Sequence, residues 1–476
     1  MRSSRAIILS LILLLVATPV WGRVFLEWTE PAVPAASSLG VDQLVIPWGP
    51  AKVQLMKEAK ERGYHVFARV SATDAATAAD AAAANGLAGI IVEGDSSEPG
   101  PGATRELAQK LRSSHPGLSV LALDPGGKQP QIQGNMVVER NGVLQVSSPT
   151  REPWIDSNVA LARFEQADRP SQPPLFTFKW DLADPVEQQQ GPRAADYALA
   201  VAEAAANEAD VLLPLHPNLQ KGLAEGDKAA WQEWDRVKTY ISFYSTAGSA
   251  RLEPLADVAL VTGHYQETYE AMNLLARRNI TFRVVGPADV TAQRLAGSQL
   301  AIVFSQPDKA AARALQAFAS AGGTVLLIDQ HGPFPWQTLP AVKTGKGTTY
   351  KAGRGEIIMS AQPAGDPDVF AGEVRDILRG KGPLVYVWNG VTTLASAYRA
   401  PQPGGMVLEL VNYAQEPLQV QVRVKGSFPG VRYETPEHGP YPAVTPEIEN
   451  GFTQFVVSHL VMGARVHLSP KADQQE

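Results

Sequence analysis

The sequence predicts a mixed α/β protein: an irregular (β/α)8 barrel, then a flavodoxin-like α/β domain, then a C-terminal antiparallel β-sandwich. Three observations predict it. Short apolar runs recur from about residue 24 to 213, most of them separated by Ala-rich or charged helical stretches, as parallel strands buried on both faces require. A second strand–helix rhythm starts at Ala256. After about residue 346 apolar and polar residues come to alternate at period two, the mark of a sheet with one wet face.

The barrel runs are Val24-Phe25-Leu26, Leu44-Val45-Ile46, Val66-Phe67-Ala68, Ile90-Ile91-Val92, Val120-Leu121-Ala122, Leu144-Gln145-Val146, Leu175-Phe176-Thr177 and Val211-Leu212-Leu213. Helical patterns fill most gaps, and Asp74 to Ala84 is almost all Ala, a strong helix former. Between the fifth and sixth runs Pro125, Gly126, Gly127, Pro130 and Gly134 leave no room for a convincing helix. Around Asn141-Gly142 the pattern reads as a hairpin. The barrel is therefore expected to be irregular at this point.

The second rhythm gives strands at Val258-Ala259-Leu260-Val261, Ile280 to Val285, Leu300 to Phe304 and Thr324 to Ile328. Its helices run from Tyr265 to Arg278 and from Lys309 to Ser320, the latter stopped by Gly322-Gly323. This is a small doubly wound domain. The last part offers Val407 to Val411, Leu418 to Val424, Phe452 to Val457 and Ala464 to Leu468 as sandwich strands. The expected division is 1–22 signal peptide, 23–250 barrel, 251–345 middle domain and 346–470 β-rich domain.

Bulk properties narrow the function. The chain has 476 residues, 45% of them apolar, and a formal net charge of −6; with no Lys/Arg run, nucleic acid is not an expected partner. Arg2 and Arg5 precede an apolar stretch from Ala6 to Ala17, and Gly22 supplies a small residue for cleavage. That reads as a secretory signal, and the stretch falls short of the roughly 20 residues a spanning helix needs. A periplasmic or secreted bacterial location is expected, without stable membrane insertion after cleavage. There is no cysteine, which excludes disulfides, thiolate metal sites and a Cys nucleophile. No His pair stands at metal-ligand spacing, and no phosphate loop, dinucleotide fingerprint or Gly-x-Ser-x-Gly elbow occurs. No cofactor is expected.

With Val258-Ala259-Leu260-Val261 and Ser320-Ala321-Gly322-Gly323-Thr324-Val325 in the middle and Val407-Leu408-Glu409-Leu410-Val411-Asn412-Tyr413 near the end, the domain order resembles the three-domain β-galactosidases. The resemblance covers about 90% of the chain in domain order. It implies a catalytic barrel, a trimerisation domain that looks like an inactive amidotransferase, and a small sandwich. Where that family carries Asn-Glu at its fourth barrel strand, this chain has Val92-Glu93. The resemblance therefore implies a glycoside hydrolase-like protein rather than a galactosidase, with a carbohydrate ligand and a homo-oligomer built through the middle domain.

Glycoside hydrolysis needs two carboxyl groups across the scissile bond, and barrels place such groups at the carboxyl ends of strands. Glu93, ending the fourth strand, is the expected general acid/base. Asp181, after the seventh, matches the family's nucleophile strand by position; Asp124 is a weaker candidate. Glu27 beside Trp28 suits a sugar ring, or else pairs with a barrel Arg such as Arg69. Trp28, Trp48 and Trp180 at strand ends would form a stacking floor, with Arg69 and His216 lining the site. Each has a plainer reading: a capping carboxylate, an indole packed under a loop, a satisfied loop histidine. Two classes of function follow. One is an exported hydrolase acting on oligo- or polysaccharide, the other a catalytically inactive carbohydrate-binding or assembly protein on a decayed glycosidase barrel. Strand-end acids tied into Arg or Lys pairs favour the second.

Overall fold

The computed structural model describes residues 22–93, 103–123, 139–140, 143–144, 158–168, 173–180, 185–245, 251–345, 347–360, 363–414 and 416–471. The signal peptide expected over residues 1–22 lies, but for Gly22, outside these residues.

Among the described residues seven strands close the barrel: β1 (Val24–Glu27), β2 (Gln43–Pro47), β3 (His65–Ser71), β4 (Gly89–Glu93), β5 (Ser119–Leu123), β8 (Leu175–Thr177) and β9 (Asp210–Pro214). All neighbours are parallel, and β9 returns to β1 with Val24 opposite Val211 and Glu27 opposite Pro214. Of the sixth expected strand only Leu144 is described, and it is not in the ring; Gln145 and Val146 lie outside the described residues. β6 (Glu139–Arg140) and β7 (Val143–Leu144) instead pair with each other as an antiparallel hairpin. An Asn-Gly turn between apolar runs favours local pairing over a crossover. The ring is thinnest where that strand was expected: β5 and β8 share the single pair Leu123–Leu175.

Period two explains the barrel's two layers. Phe25, Val45, Phe67, Ile91, Leu123, Leu175 and Leu212, one from each strand, form a separate buried cluster that fills the ring. Phe25 and Phe67 meet there edge to face at 5.2 Å. The alternate residues, among them Leu26, Ile46, Ala68, Val92, Phe176 and Leu213, join the surrounding helices in the outer core. Below the filled layer Arg23 binds Asp210 through its backbone N–H (2.8 Å), Nε (3.0 Å) and Nη2 (2.6 Å), closing the amino end of the ring.

The middle sheet places Phe282–Val285, Val258–Val261, Leu300–Val303, Thr324–Leu327 and Gly355–Ser360 side by side, all parallel. Numbered along the chain this is the order 2-1-3-4-5 of flavodoxin-like sheets. Two antiparallel strands, Gly347–Ala352 and Ala341–Thr344, extend the edge, so this sheet continues past residue 346. One face packs on helix Lys309–Ser320. The other shares the outer core of the barrel, so a single apolar body spans both units.

Two antiparallel sheets follow, one of six strands and one of four. They bury Leu408, Leu410, Val466 and Leu468 against Val420, Val422, Phe455 and Val457, which is sandwich packing. Buried polar contacts fasten the sandwich to the barrel. Tyr413 Oη donates to Glu203 at 2.7 Å, Tyr398 Oη donates to the carbonyl of Ala206 at 2.6 Å, and the Arg465–Glu409 pair (2.5 Å) lies under the rings of Phe243 and Tyr244. No helix among the described residues is long and apolar enough to cross a membrane.

Candidate functional site

Residues two positions beyond the filled layer share its inward parity and so line the carboxyl-end mouth. After Phe25 comes Glu27, after Phe67 Arg69 and after Ile91 Glu93. The register places Pro47 beside Arg69 and Ser71 beside Glu93. The structure brings the three charged side chains together. Arg69 Nη1 donates to Glu27 Oε2 at 2.6 Å. Arg69 also grips both oxygens of Glu93, Nη2 to Oε1 at 2.7 Å and Nε to Oε2 at 3.0 Å. Side-chain exposure rises from 12% at Glu27 through 23% at Arg69 to 47% at Glu93. Glu27 is thus the inner anchor and Glu93 the outer one. Burial disfavours the guanidinium charge, but hydrogen bonds and Coulomb attraction from the two carboxylates outweigh it and hold the Arg69 pKa above the usual arginine value. Of the two readings of Glu27, the pairing with Arg69 is the one observed.

The loop after β1 is fixed by Gln220, which sequence reasoning missed. Its Oε1 accepts from Thr29 N (2.6 Å), Thr29 Oγ1 (2.7 Å) and Glu30 N (3.0 Å), while Nε2 donates to the Glu27 carbonyl at 3.3 Å. A buried amide on helix Pro217–Glu225 thereby holds the strand end that carries Glu27. Only its place after the last barrel strand hinted at such a role. At the end of β3, Ser71 Oγ meets Thr73 Oγ1 at 2.8 Å and Asp74 Oδ2 at 3.0 Å.

The indoles do not line the mouth as a floor. Trp28 is three residues past Phe25 and so has the outward parity of Leu26. It is fully buried in the outer core and its Nε1 donates to the Ala32 carbonyl at 3.1 Å. No face of Trp28 is open to a sugar. Trp48 and Trp180 share that parity and pack, half-buried, against the same outer core. The Trp48 N–H donates to the Arg69 carbonyl at 2.7 Å, so its backbone borders the charged cluster. His216 caps helix Pro217–Glu225 from its N-cap position, its backbone N–H donating to Tyr197 Oη at 2.8 Å. Its ring lies against Gly191, where an added Cβ would come within 2.6 Å. Asp181 and Asp124 lie outside the described residues. Among the described residues, no group of three or more His, Cys, Asp and Glu side chains is arranged to hold a metal ion.

No protein-family model matches the sequence, and no curated protein does. Solved structures do match. The chain is similar to α-L-fucosidase isoenzyme 2 from Paenibacillus thiaminolyticus, with a TM-score of 0.60 at 12% identity over 95% of this chain and 100% of that one. It is also similar to a cold-adapted β-galactosidase from Rahnella sp. R3, with a TM-score of 0.52 at 10% identity over 89% of this chain and 94% of that one. These likenesses establish a glycoside hydrolase-like fold, as the domain order implied. At such identity they speak for architecture alone.

Proposed function

We propose that the chain recognises an oligo- or polysaccharide at the mouth of its barrel, and that the clamped carboxylates serve binding rather than proton transfer. One observation carries this reading: Arg69 occupies the space between Glu27 and Glu93 and bonds both. A glycosidase needs its two carboxyl groups to face each other across the scissile bond, one of them free to pass a proton. Here donation from Glu93 would first require its bidentate contact to break. The same cluster suits recognition, since the carboxylates accept from sugar hydroxyls while the guanidinium donates to them. Support of a coarser kind comes from the structural neighbours, a fucosidase and a galactosidase.

The test is a glycan array followed by calorimetry on the full chain, with no hydrolysis of the ligands that bind. Glu27→Gln and Arg69→Gln should each weaken binding about tenfold, the loss of one charge-assisted contact. A ligand bound equally well by both variants would overturn the reading.

A second reading rests on the half-exposed carboxylate of Glu93 at the end of β4. In it Glu93 acts as general acid/base with Asp181 as nucleophile or base, and the chain hydrolyses glycosidic bonds. Turnover of a glycoside by the wild type, lost by about 10²-fold or more in Glu93→Gln and Asp181→Asn, would establish this reading in place of the first. Export through residues 1–22 belongs to either proposal, and N-terminal sequencing of mature protein from a periplasmic fraction tests it. Self-association through the middle domain is likewise a proposal, tested by sedimentation.

A further inference from the structure

A cavity of about 550 Å³ opens where the barrel, the middle domain and the linker between them meet. Four guanidinium groups line it: Arg163 from helix Val159–Asp168, Arg251 from the linker, Arg283 from strand Phe282–Val285 and Arg294 from the short helix Ala292–Leu295. Gln166 and Gln293 add amides, and Leu252 and Val284 add apolar wall. Such a volume suits a small organic molecule.

The charge there is under-compensated. Arg163 is 5% exposed, yet its hydrogen-bond partners are neutral: Nη1 donates to Gln166 Oε1 at 3.0 Å and Nη2 to Tyr398 Oη at 2.9 Å, with the guanidinium over the Tyr398 ring at 5.2 Å. Buried charges are ordinarily paired. No carboxylate among the described side chains lies within 4.0 Å of Arg163, Arg283 or Arg294; Arg251 pairs with Glu208 at 3.7 Å and Arg399 with Glu253 at 2.8 Å. Arg283 gives Nη2 to the Ala296 carbonyl and to Ser298 Oγ, while its buried Nε has no hydrogen-bond partner. Glu208 is a weak counter-ion, because burial pushes its pKa up to about 7 against the pull of the Leu252 N–H, Arg163 and Arg251. Burial likewise lowers Arg251 and Arg283, with repulsion from Arg294 adding to it in both.

We propose that this cavity is a binding site for a small organic dianion of monosaccharide size, its oxyanion held between Arg163, Arg283 and Arg294. With Glu253 already bonded to Arg399 and Glu208 a weak counter-ion, Arg163, Arg283 and Arg294 keep an excess of positive charge, which suits a phosphate monoester or a dicarboxylate. Planar guanidinium forks suit either oxyanion. The site is distinct from the barrel mouth. Glu208 precedes Asp210, which starts β9, whereas the mouth lies beyond Pro214, which ends it. The dianion therefore binds at the opposite, amino end of the ring. There it bridges a barrel helix to the middle sheet, so its binding stabilises the packing of these two units. The inference does not depend on what the mouth binds.

Calorimetry on the full chain tests it with inorganic phosphate, glucose 6-phosphate and malonate, and with uncharged glucose as control. Saturable binding of at least one dianion is expected, with an accompanying rise in Tm and no response to glucose. The phosphate and malonate arms distinguish a tetrahedral oxyanion from paired carboxylates. Arg294 is exposed, so Arg294→Gln should fold normally and weaken binding about tenfold. Arg283→Gln should do the same. Arg236→Gln, exposed on helix Lys228–Ser245 and outside the cavity lining, should leave affinity unchanged. No saturable binding of any dianion, or affinity untouched by both pocket variants, would overturn the proposal.

Discussion

Arg69 meets Glu93 at two points, Nη2 to Oε1 at 2.7 Å and Nε to Oε2 at 3.0 Å, and spends its third nitrogen on Glu27 at 2.6 Å. The two contacts differ in worth because the partners differ in exposure. Arg69→Gln strands Glu27, whose side chain is 12% exposed, and should cost about 1–3 kcal/mol. Glu93→Gln acts on a half-exposed group and should cost less than about 1 kcal/mol. Urea denaturation of both variants checks the order, and equal losses would mean that Glu93 is held as tightly as Glu27.

Trp28 is a packing residue in this geometry, which separates its mutational signature from that of the mouth. Trp28→Ala empties a fully buried site in the outer core and should cost about 3–5 kcal/mol. Trp28→Phe keeps most of the volume and loses the bond to the Ala32 carbonyl, a smaller penalty of about 1 kcal/mol. Folded Trp28→Phe should bind glycans as the wild type does. A large affinity loss with intact stability would return the indole to the site.

How far the sequence could be read depended on which physics each feature needs. Runs such as Ile90-Ile91-Val92 announce buried parallel strands because burial on both faces is written into consecutive residues. Leu144-Gln145-Val146 looks the same along the chain, and only the sequence signal of Asn141-Gly142 separates a hairpin from a ring strand. The strand-end positions of Glu27, Arg69 and Glu93 were legible. Their mutual bonding was not, since it depends on the register that sets Pro47 beside Arg69 and Ser71 beside Glu93. Counting parity from Phe25 would have turned Trp28 outward, but the inward residue of each strand is known only once the ring closes. The arginine cavity was invisible for a different reason: its four cations come from segments that only tertiary packing brings together.

Gly89 starts β4 where the ring leaves no space. An added Cβ would sit 2.1 Å from the Ser119 carbonyl oxygen and 2.7 Å from Phe67 Cε1. The carbonyl belongs to the backbone of β5, next in the ring, and cannot swing aside. Gly89→Ala should therefore cost at least about 1–3 kcal/mol, the usual penalty of overpacking, despite the better strand and helix propensities of alanine. Thermal melts of this variant check it. Unchanged stability would mean that the β4–β5 pairing can shift.

Tyr413 ties the sandwich to the barrel through its bond to Glu203, which also accepts from Asn158 N at 2.7 Å and Asn158 Nδ2 at 2.8 Å. Removing the hydroxyl leaves a buried carboxylate short of one donor. Tyr413→Phe should cost about 1–3 kcal/mol. Because one apolar body also joins barrel and middle domain, the loss should lower a single cooperative transition. Calorimetry with coincident fluorescence and circular dichroism melts tests this. A second transition appearing in the variant would show that the units unfold independently.

Glu208 makes stability depend on pH in a direction opposite to that of an ordinary salt-bridged acid. Burial raises its pKa from 4.5 to about 7 in the folded chain, against the opposing Leu252 N–H, Arg163 and Arg251 and helped by the charge of Glu409. Between those two values the folded state holds a proton that the unfolded state has released, so stability falls as pH rises through the window and levels off above about 7. Glu208→Gln removes the titration. The variant should therefore gain on the wild type across the window, by up to about 3 kcal/mol, with no further change at higher pH. Urea midpoints for both proteins from pH 4.5 to 8 provide the measurement. A constant offset across that range would mean that Glu208 is ionised in the fold throughout, with Arg251 and Arg163 as full counter-ions.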